Sequence, residues 1–227
     1  RDWVMDYGQA FEAMRSAAGG AWDQYARHGF VEGLRDGSLR GEAFLHYLRQ
    51  DYVFLIHFSR AWALGVVKAG TLEEMQACSA TVNALLQEEM ALHVSICGAA
   101  GITEAELLAT EERTENAAYT RYVMDCGFSG DFVTLLTALA PCVLGYGEIG
   151  ARLTREKTSE TYADWIATYG GEDYQELCQS VGALLDGALE RRFGPGYTQL
   201  PFWDDLCAIF TQATRLEVGF WDMGMTP

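Results

Sequence analysis

This sequence predicts an all-α chain folded as one helical domain, and three observations carry that expectation. Proline is nearly absent: Pro141, Pro195, Pro201 and Pro227 are the only four, and none falls in the first 140 residues. Without proline, little interrupts a helical hydrogen-bond ladder. Apolar residues recur at steps of three and four over long windows, whereas strand alternation is hardly visible. Glycine clusters mark the joints between those windows. With 227 residues, 49% of them hydrophobic and 12% aromatic, the chain can bury a sizeable core, which excludes intrinsic disorder. No repeat, linker or low-complexity tract divides residues 1–227.

Helices are expected near 6–26, 28–36, 41–68, 72–98, 103–109, 114–126, 130–156, 159–169, 172–193 and 200–225, bounded by glycine clusters such as Gly19-Gly20, Asp36-Gly37-Ser38, Gly98 to Gly101 and Gly194-Pro195-Gly196. Thr71 stands before Leu72 with Glu74 three residues on, and Thr103 stands before Glu104 and Glu106. Both are N-cap patterns that set acidic groups against the positive end of a helix.

Charge narrows the partners. Sixteen Lys and Arg against 32 Asp and Glu leave a net charge of −16, which repels phosphate backbones and anionic lipid. Nucleic acid is therefore not an expected partner. The longest apolar run, Leu135 to Tyr146, is short of the ~18 residues of a membrane span and contains a proline. Arg1-Asp2-Trp3 opens no leader pattern. A cytoplasmic protein away from the membrane is expected. Six cysteines without a CxxC pair read as reduced thiols, and the four histidines show no zinc-finger spacing.

Three polar residues interrupt apolar stripes. Asp51 falls within Phe44, Leu48, Leu55, Phe58; Cys142 and Tyr146 share a stripe with Leu135, Leu139, Ile149, Leu153; and Glu217 sits within Leu206, Phe210, Ala213, Phe220. A buried carboxylate needs a partner or becomes neutral, and few buried cations are foreseen. Two inward acids beside a thiol among aromatics suit acid–base chemistry with a cysteine nucleophile. The plainer alternative is that each acid merely caps an amide or meets a tyrosine hydroxyl. Pro141 bears on Cys142. If the helix restarts there, a positive helix end favours thiolate; if it runs through, an adjacent base must act, and Glu217 is the candidate. The other five cysteines are expected in the core.

Competing constellations are weaker. Di-iron bundles use Glu-x-x-His; Glu89/His93 and Glu42/His46 are spaced by four instead. A haem ligand would fall to His28, whose glycine-flanked position suits a solvated side chain. No phosphate-binding or nucleophile-elbow motif is present. Gly145 and Gly147 around Tyr146 read as room for a ligand or neighbouring helix. Trp62 and Trp203 read as surface-facing and available to an interface.

Leu48-Arg49-Gln50-Asp51-Tyr52-Val53-Phe54-Leu55, Glu89-Met90-Ala91-Leu92-His93, Pro141-Cys142-Val143-Leu144-Gly145-Tyr146-Gly147-Glu148-Ile149-Gly150, Trp165 to Gly171, and Glu217-Val218-Gly219-Phe220-Trp221-Asp222-Met223 together resemble the TenA, or thiaminase II, family. The resemblance implies an all-α, single-domain helical bundle of the haem-oxygenase-like type without haem, assembled as a homotetramer. It implies hydrolysis of 4-amino-5-aminomethyl-2-methylpyrimidine to the hydroxymethyl pyrimidine, with cleavage of thiamin as a related activity. By that resemblance Cys142 is the nucleophile and Glu217 the acid–base. Asp51 binds the aminopyrimidine edge, Tyr146 and Tyr169 support the thiol and the amine-bearing carbon, Tyr119 faces the pocket, and Phe54 and Phe220 sandwich the ring. No metal or organic cofactor is implied. Phe54 stands where many members carry Tyr, and Leu144 where Trp is common; with the two glycines these departures are expected to widen the pocket. A non-catalytic pyrimidine-binding or regulatory protein is the alternative, and a metal- or haem-dependent oxidase a third.

Overall fold

The computed structural model describes residues 5–227; the opening Arg1-Asp2-Trp3 lies outside them. Twelve α-helices follow in order among the described residues: α1 Gln9–Ala18, α2 Gly20–Ala26, α3 Gly29–Asp36, α4 Gly41–Lys68, α5 Leu72–Ala84, α6 Met90–Ala99, α7 Glu104–Leu108, α8 Thr114–Ser129, α9 Phe132–Glu156, α10 Ala163–Gly170, α11 Glu172–Phe193 and α12 Phe202–Gly224. No strand occurs among the described residues, and the buried side chains form one hydrophobic core.

Two expected helices are interrupted. The 6–26 window breaks at Gly19, whose φ of 53° ends α1 and caps α2. The 72–98 window carries a π turn, Leu85–Glu89, between α5 and α6; such a turn adds a residue to the helical repeat and recurs at functional sites. The two caps form as expected: Thr71 accepts from the Glu74 amide, and Thr103 and Glu106 close a reciprocal capping box.

Helix α9 is the axis of the molecule. It packs against α4, α8, α10, α11 and α12, and 21 of its 25 residues are buried, as expected of a helix apolar on nearly all sides. By length and composition α9 meets the requirement for crossing a membrane, which the short run read from sequence did not suggest, but 94% of that stretch is buried within this protein. Pro141 lies inside the continuous helix. Cys142 therefore has no helix N-terminus beside it, and any activation must come from neighbouring side chains.

Close helix crossings explain the glycines near Cys142. A side chain at Gly145 would collide with the Tyr25 ring, and one at Gly147 with Cys178 and the Tyr7 hydroxyl. These glycines admit side chains of α2, α11 and the N-terminal segment, so the expectation of a pocket widened there is corrected. At Gly150 and Gly170, backbone meets backbone, which draws α10 onto α9 and seats Tyr169. Trp62 and Trp203 are also corrected: both are buried, and both continue the apolar stripes, one after Phe58 and the other before Leu206. Cys207 is half-buried whereas the other five cysteines are buried.

Candidate active site

Helices α4, α6, α8, α9 and α12 each deliver at least one polar group to the same interior region. Asp51 from α4, Cys142 from α9 and Glu217 from α12 are 3%, 8% and 2% exposed. They lie close enough for Glu217 and Asp51 both to act on the Cys142 thiol. The structure thus brings together the three residues that broke the apolar stripes.

Asp51 has one of the few buried cationic partners the chain offers. His93, fully buried on α6, sets Nε2 2.6 Å from Asp51 Oδ2 and Nδ1 2.7 Å from the Glu89 carbonyl oxygen. A carbonyl only accepts, so Nδ1 carries a proton, and the second proton lies between Nε2 and the carboxylate. Burial pulls the His93 titration down, but the hydrogen bond and charge of Asp51 outweigh it and the net shift is upward. The Tyr47 hydroxyl lies 3.5 Å from the same Oδ2 and 2.9 Å from the Tyr146 hydroxyl.

Glu217 lacks such a counter-ion. Tyr119 donates its hydroxyl to Oε1 at 2.8 Å, yet burial, reinforced by the charge of Asp51, pushes the carboxyl up to about 8. Cys142 is likewise pushed up, first by burial and then by Glu217, Glu89 and Asp51. At neutral pH the pair rests as thiol and largely protonated acid, so the thiolate considered from the Pro141 position is not the resting form.

The aromatic lining is closed upon itself. Phe54 and Phe220 have centroids 5.4 Å apart at 66°, and Phe54 is 5.2 Å from Tyr119. Two rings in direct contact leave no slot for a third between them, so a planar ligand requires them to part. Tyr146 stacks on Trp221 at 5.5 Å and meets Tyr169 edge-on at 4.9 Å. All eight residues proposed from sequence, Asp51, Phe54, Tyr119, Cys142, Tyr146, Tyr169, Glu217 and Phe220, are buried in this neighbourhood.

Sequence reasoning assigned no site role to Glu89, His93 or Tyr47. The pair Glu89/His93 carried a signal: His93 is the only titratable residue besides Cys97 in the uncharged stretch Met90 to Ile102. His28, weighed as a haem ligand, instead caps α3 by accepting from the Phe30 amide at 3.0 Å and contacts Asp222 at 2.7 Å. Among the described residues no three His, Cys, Asp or Glu side chains converge as a metal centre requires.

This helical fold and the site it encloses accord with the sequence comparisons. Residues 15–226 match the TENA/THI-4/PQQC family, and the chain belongs to that family. It is 33% identical over 205 residues to the aminopyrimidine aminohydrolase of Halalkalibacterium halodurans, covering 89% of each chain. The crystal structure of a TenA family transcription regulator from Silicibacter sp. TM1040 superposes with a TM-score of 0.96 at 63% identity, covering 97% of this chain and 98% of that one. A domain of unknown function with a haem oxygenase-like fold from Shewanella denitrificans OS217, 12% identical and covering 93% and 90% of the two chains, superposes with a TM-score of 0.71. The fold is of that haem oxygenase-like type.

Proposed function

We propose that this protein is an aminopyrimidine aminohydrolase of thiamin salvage, converting 4-amino-5-aminomethyl-2-methylpyrimidine and water to the hydroxymethyl pyrimidine and ammonia, with thiamin cleavage as a second activity of the same site. The observation that carries the reading is the convergence of Cys142, Glu217 and Asp51 inside an aromatic, water-poor interior. The relatives support an enzyme of thiamin metabolism at the family level.

In this reading Asp51 uses Oδ1 for the aminopyrimidine edge, since its contacts with His93 and Tyr47 both engage Oδ2. Substrate parts Phe54 from Phe220 and lies between them. Glu217 gives its proton to a ring nitrogen as the Cys142 sulfur bonds to a ring carbon, which sends the displaced electron pair to that nitrogen, and the carboxylate so formed takes the thiol proton. A donor placed where that charge develops is worth several kcal/mol, of order 2.7–4 in comparable sites. The ring electrons then expel the exocyclic amine as ammonia. Water adds to the methylene that remains, and expulsion of the thiolate, reprotonated by Glu217, restores the aromatic ring. Tyr119 holds the Glu217 carboxyl; Tyr146 and Tyr169 hold the thiol and the reacting carbon. The same resemblance extends to a cytoplasmic homotetramer of single-domain chains, whose assembly sedimentation of the purified protein tests.

A second reading, a pyrimidine-binding regulator without turnover, is favoured by the similarity to the protein from Silicibacter sp. TM1040. Parallel incubation with the aminomethyl pyrimidine and with thiamin separates the two. The enzyme reading expects the hydroxymethyl pyrimidine from one or both, and about a 10³-fold or greater loss in Cys142→Ser with the fold intact. Ligand-induced stabilisation without product in the unmodified protein would favour the regulator.

A further inference from the structure

Glu89 is a third buried carboxyl beside the site, and the chemistry above leaves it without work. It is the last residue of the π turn and 7% exposed, whereas Glu88 before it points outward. Its backbone carbonyl holds His93, and its Oε2 accepts from the Tyr169 hydroxyl at 3.3 Å. Among the described residues no Lys or Arg pairs with it, and the charge of His93 is matched by Asp51. Burial, then the charge of Asp51, pushes Glu89 up to about 8. Two carboxyls, Glu89 and Glu217, thus border one interior region that holds a single cation already paired.

We infer that Glu89 gives up its proton when a cation is seated beside it and so becomes the counter-ion for a positively charged substituent on the substrate, selecting the cationic aminomethyl pyrimidine over its neutral hydroxymethyl product. The inference rests on the aminopyrimidine reading, in which Tyr169 lies against the amine-bearing carbon; a group held there is within reach of the carboxyl that Tyr169 already touches. The surface outside is built the same way. Two adjoining clefts of about 310 and 270 Å³ share Glu88, Glu89, Asp173 and Tyr174, and every charged residue lining them is acidic. Low-dielectric walls carrying one sign of charge concentrate the opposite ion. Glu89 lines both clefts and also touches Tyr169 inside, so it is the carboxyl at which the acidic surface and the interior meet. Release is helped by the same device, because the hydroxymethyl product has no charge to hold.

The test is calorimetric binding of the two pyrimidines in a Cys142→Ser background, where turnover is blocked. With Glu89 intact, the aminomethyl compound is expected to bind at least about tenfold more tightly than the hydroxymethyl compound, as a charged hydrogen bond supplies. Adding Glu89→Gln, which keeps size and the Tyr169 contact, is expected to abolish that margin while changing hydroxymethyl affinity less than about twofold. Equal affinities with Glu89 intact overturn the inference without any second variant. Loss of both ligands in Glu89→Gln also overturns it, and shows a structural role for the π turn. If the Cys142→Ser protein binds neither pyrimidine, the aminopyrimidine reading itself falls.

Discussion

Glu74 and Glu217 are both buried glutamates, 5% and 2% exposed, and the protein treats them in opposite ways. Glu74, on α5, is held by Arg191 at 3.1 and 3.2 Å, by Arg192 at 3.0 and 3.3 Å, and by the Gly70 amide at 2.7 Å. Burial opposes its ionisation, but the two guanidiniums and the amide outweigh burial and hold the carboxyl at about 2. Glu217 meets a tyrosine and a thiol in place of arginines, so burial prevails and the carboxyl rises to about 8. Glu74 ties α5 to the end of α11 and its charge is spent on that tie. Glu217 keeps a proton that can move near neutral pH, which is what separates an acid fit for chemistry from an acid fit for structure.

The contrast predicts its largest effect in activity. Glu217→Gln removes a transferable proton without changing shape and is expected to lower aminohydrolase kcat/KM by about 10²–10⁴-fold. Glu74→Gln is expected to leave it within about twofold, because its partners are remote from the thiol. Steady-state assays of both variants decide the matter, and comparable losses in the two would erase the distinction.

Stability against pH sharpens the comparison with smaller effects of opposite sign. The folded protein retains the Glu217 proton between the ordinary carboxyl range, near 4.5, and about 8, where the unfolded chain has shed it. Stability from this group is therefore present at low pH and is lost as pH rises to about 8. Glu217→Gln removes that loss, so the variant is expected to gain on the wild type by roughly 1–3 kcal/mol between pH 5 and pH 9, short of the full shift because buried sites relax. Glu74 contributes stability above about 4.5 that disappears as pH falls toward 2. Glu74→Gln is expected to cost about 1–3 kcal/mol at pH 7 and progressively less below pH 4. Urea titrations across this range check both slopes; a pH-independent offset in either variant contradicts its assignment.

The two glutamates also show where sequence reading succeeds and where it stops. Glu217, Asp51 and Cys142 were visible because each replaces an apolar residue in a regular stripe of a long helix, and the same regularity predicted the helices themselves. Thr71 and Glu74 were legible as a cap, but the arginines that neutralise Glu74 lie more than 115 residues away in the chain, and no local pattern announces them. Glu89 escaped because the π turn shifts the helical phase at that point, so a constant period misplaces the inward face. His93 escaped as the partner of Asp51 because they are 42 residues apart on different helices. The contact between Phe54 and Phe220 depends on how α4 and α12 pack, which composition and spacing do not encode. The glycines beside Tyr146 were legible as close approaches, but the occupants, Tyr25, Tyr7 and Cys178, are set by tertiary structure.

The smallest predicted effect tests the contact that tempers Glu217. By donating to Oε1 at 2.8 Å, Tyr119 stabilises the ionised carboxyl and opposes the upward push of burial. Tyr119→Phe keeps the ring against Phe54 and deletes only that donor. One such bond contributes about 1 kcal/mol, so the Glu217 titration should move further up by roughly half to one pH unit. The limb of the kcat/KM profile that follows Glu217 should move to higher pH by that amount, with a loss of only about three- to tenfold at its plateau. An unmoved limb would mean that Tyr119 lets go of Glu217 once substrate parts the rings, and movement to lower pH would mean that the hydroxyl stabilises the protonated acid instead. The first result would transfer the tuning of Glu217 to the remaining neighbours, Cys142 and the charge of Asp51, and the second would reverse the sign of the Tyr119 contribution.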